Sequence, residues 1–312
     1  MSYCFGVDVG GTSVKIGLFD GEGQIVDKWE INTRTMNKGE DILPDIAASL
    51  DEKLGEHSIS IDDVEGVGIA LPGPVIDESV VTRCVNLGWD RKDVAEEFKE
   101  LFHGKKVKAL NDANAAALGE AIEGGGKGCD DSVMLTLGTG VGGGIVINNK
   151  IIEGACGGGG EVGHMIVNYD ETESCNCGHK GCLEQYTSAT GVVNLAKKYM
   201  SEHPDTKMHE IGDAIMCHEV FELAKNGDEG AKVVVDAMAK YLGKGMANIA
   251  AVVNPEVFII GGGVSNAGEF LTEQVEKYYR EYALTECADA KIVLATLGND
   301  AGIVGARAAI KE

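Results

Sequence analysis

A strand–turn–strand unit that occurs twice places the strongest constraint on the fold. Residues 7–19, VDVGGTSVKIGLF, and residues 135–147, LTLGTGVGGGIVI, align without gaps as strand, glycine-rich turn and strand. This self-similarity indicates an internal repeat of one supersecondary unit. It predicts two α/β halves, each opened by a glycine hairpin, with a cleft between them where a small ligand binds.

The hydrophobic pattern around these units alternates between strand and helix periods. The first half reads as a three-stranded antiparallel meander and then α-β-α-β-α. In the second half the glycine hairpin is followed mainly by helices. The predicted elements after the meander are helices at 40–57, 91–104 and 112–124, strands at 64–71 and 106–111, and then helices near 185–200, 212–226, 229–253, 268–281 and 301–311 with strands at 256–264 and 291–296.

Bulk composition excludes several classes of protein. The chain has 312 residues, 44% of them hydrophobic, without an apolar run long enough for a membrane span or a secretory signal. A formal charge of −23 argues against nonspecific binding to nucleic acid, which needs basic surface. Nine cysteines without a secretion signal do not predict disulfides. We therefore expect a cytoplasmic protein without a membrane or nucleic-acid partner.

The glycine turns are candidate phosphate sites. Glycine permits positive φ and lets backbone N–H groups approach an anion without a Cβ in the way. Each turn alone can also be an ordinary tight β-turn, but two at equivalent places favour phosphate binding. Neither has the pattern of a Walker P-loop or a Rossmann fingerprint. The candidates are Gly10, Gly11 and Thr12 in the first turn, Gly138, Thr139, Gly140 and Gly142 in the second, and Gly261, Gly262 and Gly263 after a later strand, where a base or ribose is expected.

Asp112 is the candidate general base because it follows a strand end at the start of a helix. Strand ends in α/β folds face the ligand crevice, and a carboxylate there can take a proton from an attacking hydroxyl. The alternative is that Asp112 only caps the helix. Asn111 is placed to hydrogen-bond the same hydroxyl, and Glu161 to accept hydrogen bonds from a polyol.

Three cysteines within eight positions, Cys175, Cys177 and Cys182, predict a metal site that lacks one ligand. His164 is the first candidate for the fourth ligand, and His179 and Cys156 are alternatives. Three thiolates and one imidazole leave no open position on zinc, so the site is expected to be structural.

In this order the motifs resemble the ROK family of sugar kinases, within the hexokinase and actin-like ATPase superfamily, over nearly the whole chain. The stretch GHM, followed by CNCGHKGCLE, is similar to the zinc signature of the family, although the segment between His164 and Cys175 is rather short. The stretches DVGGT and LGTGVGGG resemble its two phosphate motifs, and IIGGGV its adenosine motif. The sequence CLEQYTSATG is most similar to the bacterial glucokinase branch.

The resemblance implies a fold, a set of ligands and roles for particular residues. The fold would be two actin-like or RNase H-like α/β domains flanking an active-site cleft. Residues 1–120 and a returning helix at about 300–312 would form one domain, and residues 121–299 the other, with the zinc loop and oligomerisation helices. Zinc would bind His164, Cys175, Cys177 and Cys182. Asp112 would be the base, and Gly73, Asn86, Asn111, Asp112, Glu161, His164 and Glu184 would contact the sugar. Asp8 and Lys15 would join the glycine motifs in binding ATP and Mg²⁺.

These implications give the expected function: a homodimeric or homotetrameric enzyme that phosphorylates a hexose with ATP, most simply glucose at O6. A kinase for fructose, allose or N-acetylmannosamine is the main alternative. A catalytically silent sugar sensor is disfavoured by Asp112 and the two phosphate turns. A transcriptional repressor is disfavoured by the negative charge and by a first strand that begins near residue 3, which leaves no preceding helix-turn-helix.

Overall fold

The computed structural model describes residues 2–311. The chain divides into two compact units: the first contains residues 1–128, 144–160 and 299–312, and the second residues 129–143 and 161–298. The segment 144–160 therefore groups with the first unit, outside the range that the sequence assigns to that domain. The division into two folding domains at residue 120 stays a prediction.

A five-stranded sheet in the order β3-β2-β1-β4-β8 forms the centre of the first unit. Strands β1, β2 and β3 are antiparallel, whereas β4 and β8 run parallel to β1. A small sheet in the order β5-β6-β7 lies between β4 and β8 in the sequence. The elements of this unit are β1 (Tyr3–Val9), β2 (Ser13–Asp20), β3 (Ile25–Asn32), α1 (Met36–Gly39), α2 (Ile42–Glu56), β4 (Val64–Leu71), β5 (Val75–Ile76), β6 (Val80–Val81), β7 (Lys92–Asp93), α3 (Val94–Leu101), β8 (Lys106–Asn111), α4 (Asp112–Glu123), β11 (Lys150–Ile151) and α11 (Ala301–Lys311).

The C-terminal helix α11 completes the first unit. Every residue from Ala301 to Ile310 is buried, as expected for a helix that is apolar on all sides except at Arg307. Glycines permit its close approach: a Cβ on Gly6 of β1 would lie 2.0 Å from the carbonyl oxygen of Ile303. A Cβ on Gly305 would likewise lie 1.7 Å from the carbonyl oxygen of Ala115 in α4. The helix thus packs against both the sheet and α4.

The second sheet has five strands in the order β11-β10-β9-β12-β13. All of them except β11 and the end of β10 belong to the second unit, which also contains most of the helices. Strand β12 pairs in parallel with both β9 and β13. Strand β10 begins in the second unit and ends in the first, where its last two residues pair with β11. The remaining elements are β9 (Ser132–Leu137), β10 (Val141–Ile147), α5 (Glu184–Thr187), α6 (Ala189–Glu202), α7 (Met208–Ile211), α8 (Cys217–Lys225), α9 (Glu229–Val253), β12 (Val257–Gly261), α10 (Glu269–Tyr282) and β13 (Lys291–Leu294).

Most predicted elements are confirmed, including the meander, the long helix α9 and the final helix α11. The predicted helix at 185–200 is instead two helices, because Ser188 adopts an extended conformation and its side chain caps α6 by accepting from the N–H of Gly191 at 3.0 Å. The helix predicted near 212–226 begins only at Cys217. Across residues 2–311, none of the helices has the length and apolar character needed to cross a membrane.

Candidate active site and metal-ligand cluster

The carboxyl ends of three parallel strands bring predicted site residues to one edge of the first sheet. Strands β1, β4 and β8 end at Val9, Leu71 and Asn111. The first glycine turn, the loop that contains Gly73, and Asp112 directly follow these ends. Such an edge is where open α/β sheets bind ligands.

Asn111 and Asp112 have separate roles at this edge. Asn111 is the N-cap of α4, and its Oδ1 accepts from the backbone N–H groups of Ala113 at 2.9 Å and Asn114 at 3.1 Å. Asn111 thus holds the N-cap position, although Asp112 Oδ1 also accepts from the N–H of Ala113 at 2.8 Å. Asp112 is the first residue of the helix and is exposed. Its carboxylate is thus accessible to a ligand.

Asn111 also ties this helix to the neighbouring loop. Its Nδ2 donates to the carbonyl oxygen of Gly73 at 3.1 Å. Gly73 has φ 138°, and a Cβ there would lie 2.4 Å from the carbonyl oxygen of Arg83, so only glycine fits. Asn111 thus links the Gly73 loop to the start of α4, and its predicted contact with the sugar stays a prediction.

Asp8 lies at the same edge in a less polar environment. It is opposite Lys15 in the β1–β2 register. Burial raises the pKa of Asp8, and the nearby Asp112 carboxylate raises it further, while Lys15 lowers it. The carboxylates of Asp8 and Asp112 therefore repel each other, and a cation bound near both would offset this repulsion.

The first glycine turn lies next to the loop that contains Asn86, a predicted sugar contact. Gly11 and Thr12 are exposed between β1 and β2. A Cβ on Gly11 would lie 4.0 Å from the Cβ of Asn86. Asn86 is exposed on a single 3₁₀ turn, Val85–Leu87. The turn and the loop are therefore in contact range in the first unit.

Two glycine motifs meet in the second unit. A cavity of about 380 Å³ is lined by the second glycine turn together with Gly262, which follows β12. Gly262 has φ 82°, and a Cβ there would lie 2.6 Å from the carbonyl carbon of Leu137. The lining residues are Thr136, Gly138, Gly140, Val141, Gly142, Glu184 and Gly262. The separate glycine stretches in the sequence thus face one common space.

Glu184 fixes the second glycine turn. Its Oε2 accepts from the N–H of Val141 at 2.9 Å. A Cβ on Gly140 would lie 2.2 Å from that same oxygen, so the carboxylate fits only against glycine. Its Oε1 lies 3.5 Å from Cys175 Sγ. Sequence reasoning missed this role of Glu184, because no pattern in the sequence pairs a glycine turn with a carboxylate 44 residues later.

A second cavity of about 640 Å³ adjoins the third glycine motif. Its walls come from Gly263 and the 3₁₀ turn that follows, from the start of α6, and from α8 with the residues before it. Apolar residues dominate: Ala189, Val193, Ile215, Met216, Phe221, Val264 and Ala267. A flat, largely apolar ring such as a nucleotide base suits such a space. The sequence indicated Gly263 alone, since the α8 residues look like ordinary core.

The predicted metal ligands come together in the second unit. One ligand atom from each of His164, Cys175, Cys177 and Cys182 lies within 4.8 Å of the others. The Sγ atoms of Cys177 and Cys182 are 3.6 Å apart, and Cys175 Sγ is 3.9 Å from His164 Nδ1. His179 Nδ1 lies 3.5 Å from Cys177 Sγ but is outside this group, as is Cys156. His164 is thus the fourth member.

The cluster fits a tetrahedral zinc site in ligand type, number and spacing. Zinc–sulfur bonds of about 2.3 Å place tetrahedral sulfur ligands roughly 3.8 Å apart. The backbone N–H of His179 stabilises the Cys177 thiolate and lowers its pKa to about 6. Burial raises the pKa of Cys182 to about 12 and also raises that of Cys175. Without a cation, one thiolate is therefore favoured, whereas a bound metal would deprotonate all three thiols.

His164 lies between this cluster and a predicted sugar contact. It ends a 3₁₀ turn, Val162–His164, for which Glu161 is the N-cap. While Nδ1 faces Cys175, Nε2 lies 4.0 Å from Glu161 Oε2. His164 therefore has one ring nitrogen toward the cluster and the other toward Glu161.

Comparisons with known proteins identify relatives over almost the whole chain. The model of the ROK family matches residues 4–312. A glucokinase of Halalkalibacterium halodurans is 42% identical, with 98% of this chain and 94% of that protein covered. A glucokinase of Thermotoga maritima is 34% identical, with 98% and 96% covered. The crystal structure of a ROK family glucokinase from Streptomyces griseus in complex with glucose and AMPPNP has a TM-score of 0.74 and 35% identity, and covers 99% of each chain.

Two mixed sheets that each begin at a glycine turn, with helices packed against them, define an α/β protein of the actin-like ATPase fold. This confirms the predicted fold class. The chain belongs to the ROK family, as its motifs predict.

Proposed function

We propose that this protein is a glucokinase that transfers the γ-phosphoryl group of ATP to O6 of glucose. The observation that carries the proposal is the end of the first sheet where Asp112 directly follows β8 and Asp8, in β1, precedes the first glycine turn. A base next to a phosphate turn is the arrangement that phosphoryl transfer to a hydroxyl needs. The whole-length similarity to proteins called glucokinase supports glucose as the acceptor.

Asp112 is the proposed general base. Its carboxylate accepts the proton from the 6-hydroxyl as O6 bonds to the γ-phosphorus. The bond from that phosphorus to the bridging oxygen breaks, and ADP leaves with the electron pair. Little covalent chemistry falls to the protein, so its main contributions are position and charge.

The proposed sugar contacts come from the loops that contain Gly73 and Asn86, from the start of α4, and from polar side chains near the metal cluster. Hydroxyl groups need both donors and acceptors, which amides, carboxylates and imidazole supply together. The proposed contacts, in addition to Asp112, are Gly73, Asn86, Asn111, Glu161, His164 and Glu184.

The nucleotide is proposed to lie along the three glycine motifs. The two turns supply N–H groups to the phosphates, and the 640 Å³ cavity beside Gly263 takes the adenine. Mg²⁺ supplies neutralisation of phosphate charge when bound. Asp8 is the residue proposed to orient it, and Lys15 to contact the phosphates.

Zinc is the proposed occupant of the Cys₃His cluster, in a structural role. Four protein ligands leave no position for substrate or water, so the metal would cross-link the loop of residues 175–182 to the turn that carries Glu161 and His164. Two sugar contacts would thereby be held in register. A homodimer or homotetramer in the cytoplasm stays a prediction.

The proposal is tested by ADP release over a panel of glucose, fructose, allose and N-acetylmannosamine at saturating Mg-ATP. We expect the highest kcat/KM with glucose, and glucose 6-phosphate as the product by NMR. Preference for another sugar would contradict glucose as the acceptor but would keep the proposal of a sugar kinase. Absence of sugar-dependent ADP release from folded, zinc-loaded protein would refute kinase function.

A further inference from the structure

The hairpin formed by β5 and β6 has a turn that its own sequence does not favour. The N–H of Ser79 donates to the carbonyl oxygen of Ile76 at 3.2 Å, which closes a two-residue turn. Its central residues, Asp77 and Glu78, have φ values of 55° and 50°. This is the left-handed region, where residues other than glycine, asparagine and aspartate are uncommon. Contacts from elsewhere are therefore needed to hold Glu78 in this conformation.

Strand β8 supplies one set of these contacts. The carbonyl oxygen of Glu78 accepts from the N–H of Ala109 at 2.7 Å. The Glu78 carboxylate pairs with Lys108 Nζ at 2.9 Å. Lys108 and Ala109 lie only a few residues before Asn111 and Asp112 in the same strand. The turn is therefore attached directly to the segment that carries the proposed base.

Glu153 holds the turn from the other side. Its carboxylate faces the backbone N–H groups of Asp77 and Glu78, which lower its pKa, and Glu78 and Glu153 line the same cavity. Gly157, a few residues later, is so close to β5 that a Cβ would lie 2.5 Å from the carbonyl oxygen of Val75. The loop that contains Glu153 is thus packed onto the hairpin.

The Glu153 carboxylate is kept in an environment that disfavours its charge. Burial raises its pKa, and the carboxylates of Glu78 and Asp77 raise it further, against the lowering by the two N–H groups. A raised pKa in the folded state means that stability from this group is greatest at low pH and decreases as pH rises through that pKa. The charged form of the Glu153 carboxylate therefore does not add to the stability of the fold.

Packing alone leaves room for this region to move. A cavity of about 280 Å³ lies behind the hairpin turn. It is lined by Glu78, Leu110, Leu118, Lys150, Ile151 and Glu153. Leu110 directly precedes Asn111, and Leu118 is on α4, so the strand and the helix that position Asp112 both border unfilled space. This space is partly open to solvent, so packing contacts do not restrict movement of the strand and the helix on this side.

We propose that Glu78, Lys108 and Glu153, here called the hairpin clamp, are positioning residues for phosphoryl transfer. The clamp fixes the hairpin on β8 and so sets where Asn111 and Asp112 lie relative to the Gly73 loop. The inference rests on the proposed role of Asp112 as base. It assigns no contact with substrate to the clamp itself.

Two variants of Glu153 separate positioning from a general effect on folding. Glu153→Ala removes the carboxylate that faces the turn. We expect kcat to fall by about tenfold, since a small displacement of a catalytic group acts on the chemical step. The KM values for glucose and ATP should change by less than about twofold. Glu153→Gln keeps an acceptor oxygen without the charge, and we expect it to restore most of kcat. The matched control is Glu56→Ala, which removes an exposed carboxylate that pairs with Lys53 at 2.8 Å in the same unit, and it should leave kcat unchanged.

A readout independent of activity tests the clamp separately from the proposed function. Hydrogen exchange at the amides of Ala109 and Ala113 should be faster in Glu153→Ala and close to the parent in Glu153→Gln. If the Ala variant does not fold, Lys108→Met gives the same test of the hairpin attachment. Unchanged kcat and unchanged exchange in a folded clamp variant would overturn the inference, as would equal impairment by Gln and Ala. A parent protein without hexose kinase activity would instead refute the proposed function, and the exchange result would still decide whether the clamp restrains β8.

Discussion

Asn111 and Asp112 are adjacent in sequence, yet Asn111 forms hydrogen bonds that stabilise the fold, whereas Asp112 is exposed. The Asn111 amide is bonded to the first turn of α4 and to the Gly73 carbonyl oxygen. The Asp112 carboxylate is then held in place by the helix that Asn111 caps. A base that is positioned by its neighbour need not be buried to be fixed.

Replacement of Asp112 is the most direct test of the proposed general base. In Asp112→Asn we expect kcat to fall at least ~10²-fold, because the amide cannot accept the hydroxyl proton. The KM for glucose should change little, and the melting temperature should stay close to that of the parent since the residue is exposed. Steady-state kinetics and thermal melts measure both. Near-normal turnover would exclude Asp112 as the base.

Gly140 is expected to be intolerant of any side chain. The Cβ of Gly140→Ala would lie 2.2 Å from Glu184 Oε2, so the carboxylate that holds the N–H of Val141 must move. We expect weaker ATP binding and at least ~10-fold lower kcat/KM for ATP, because the turn loses its fixed geometry. Kinetics with varied ATP measure this.

Gly55→Ala is the matched control for that substitution. A Cβ on Gly55 meets nothing within 4 Å, and the residue lies in α2, where alanine is the better helix former. It should keep full activity and a melting temperature at least equal to that of the parent. Normal ATP kinetics in Gly140→Ala would show that Glu184 does not set the turn.

Among the elements, the loop of residues 175–182 is the one that the proposed zinc would stabilise. Short backbone bonds shape it, such as that from the N–H of Cys175 to the carbonyl oxygen of His179 at 2.7 Å. Gly178 and Gly181 have φ values of 88° and 76°. The loop contributes three of the four cluster ligands, whereas His164 lies on another segment. Backbone bonds already join the end of the loop to the segment after His164, such as that from the N–H of Val167 to the carbonyl oxygen of Gly181 at 2.8 Å. A metal would add a cross-link to His164 itself.

The metal prediction is that purified protein contains one zinc per chain. Cys177→Ser should lower the zinc content and the melting temperature and raise the KM for glucose, because the turn with Glu161 and His164 loses its cross-link. Elemental analysis, thermal melts and kinetics measure these effects. Cys156→Ser is the control: this exposed cysteine is outside the cluster and should retain zinc. Zinc loss in the control, or full zinc in Cys177→Ser, would contradict the ligand set.

The elements also show what the sequence can and cannot predict. Strands, long helices and the ligands of the cluster follow from local periodicity and spacing. The wall of the base cavity contributed by Met216 and Phe221 does not, since apolar residues of α8 are indistinguishable from core. Glu153 is hidden for another reason: its partners are backbone N–H groups in a turn with positive φ, and no residue pattern encodes them. Contacts between a side chain and a distant backbone segment can thus be identified only from the structure.

For the whole molecule, the imbalance of charge is the dominant electrostatic feature. The chain has 50 acidic against 27 basic side chains. Exposed ion pairs such as that of Arg34 with Asp45 stabilise only weakly, by roughly 0–1 kcal/mol each. Net repulsion therefore outweighs attraction at the surface, and a compact state must tolerate it.

We therefore expect salt to stabilise the protein. An increase in ionic strength from about 0.01 M to 0.15 M shortens the screening length from about 30 Å to 8 Å and weakens the repulsion. Calorimetry should show a higher melting temperature in NaCl at neutral pH. Choline chloride at the same ionic strength should give an equal increase, which separates screening from specific binding of Na⁺. A lower melting temperature in both salts would mean that surface ion pairs dominate instead.

Helix α11 has a consequence for how the polypeptide matures. It packs on β1 and α4 of the first unit but follows the entire second unit in the chain. During translation, the early strands emerge long before the helix that covers them. Their apolar surface therefore stays uncovered while residues 129–298 are made. The second unit can reach its native state on the ribosome, whereas the first matures only afterwards. Stalled or truncated synthesis would thus leave the proposed catalytic edge on an unfinished sheet, exposed to chaperones and proteases.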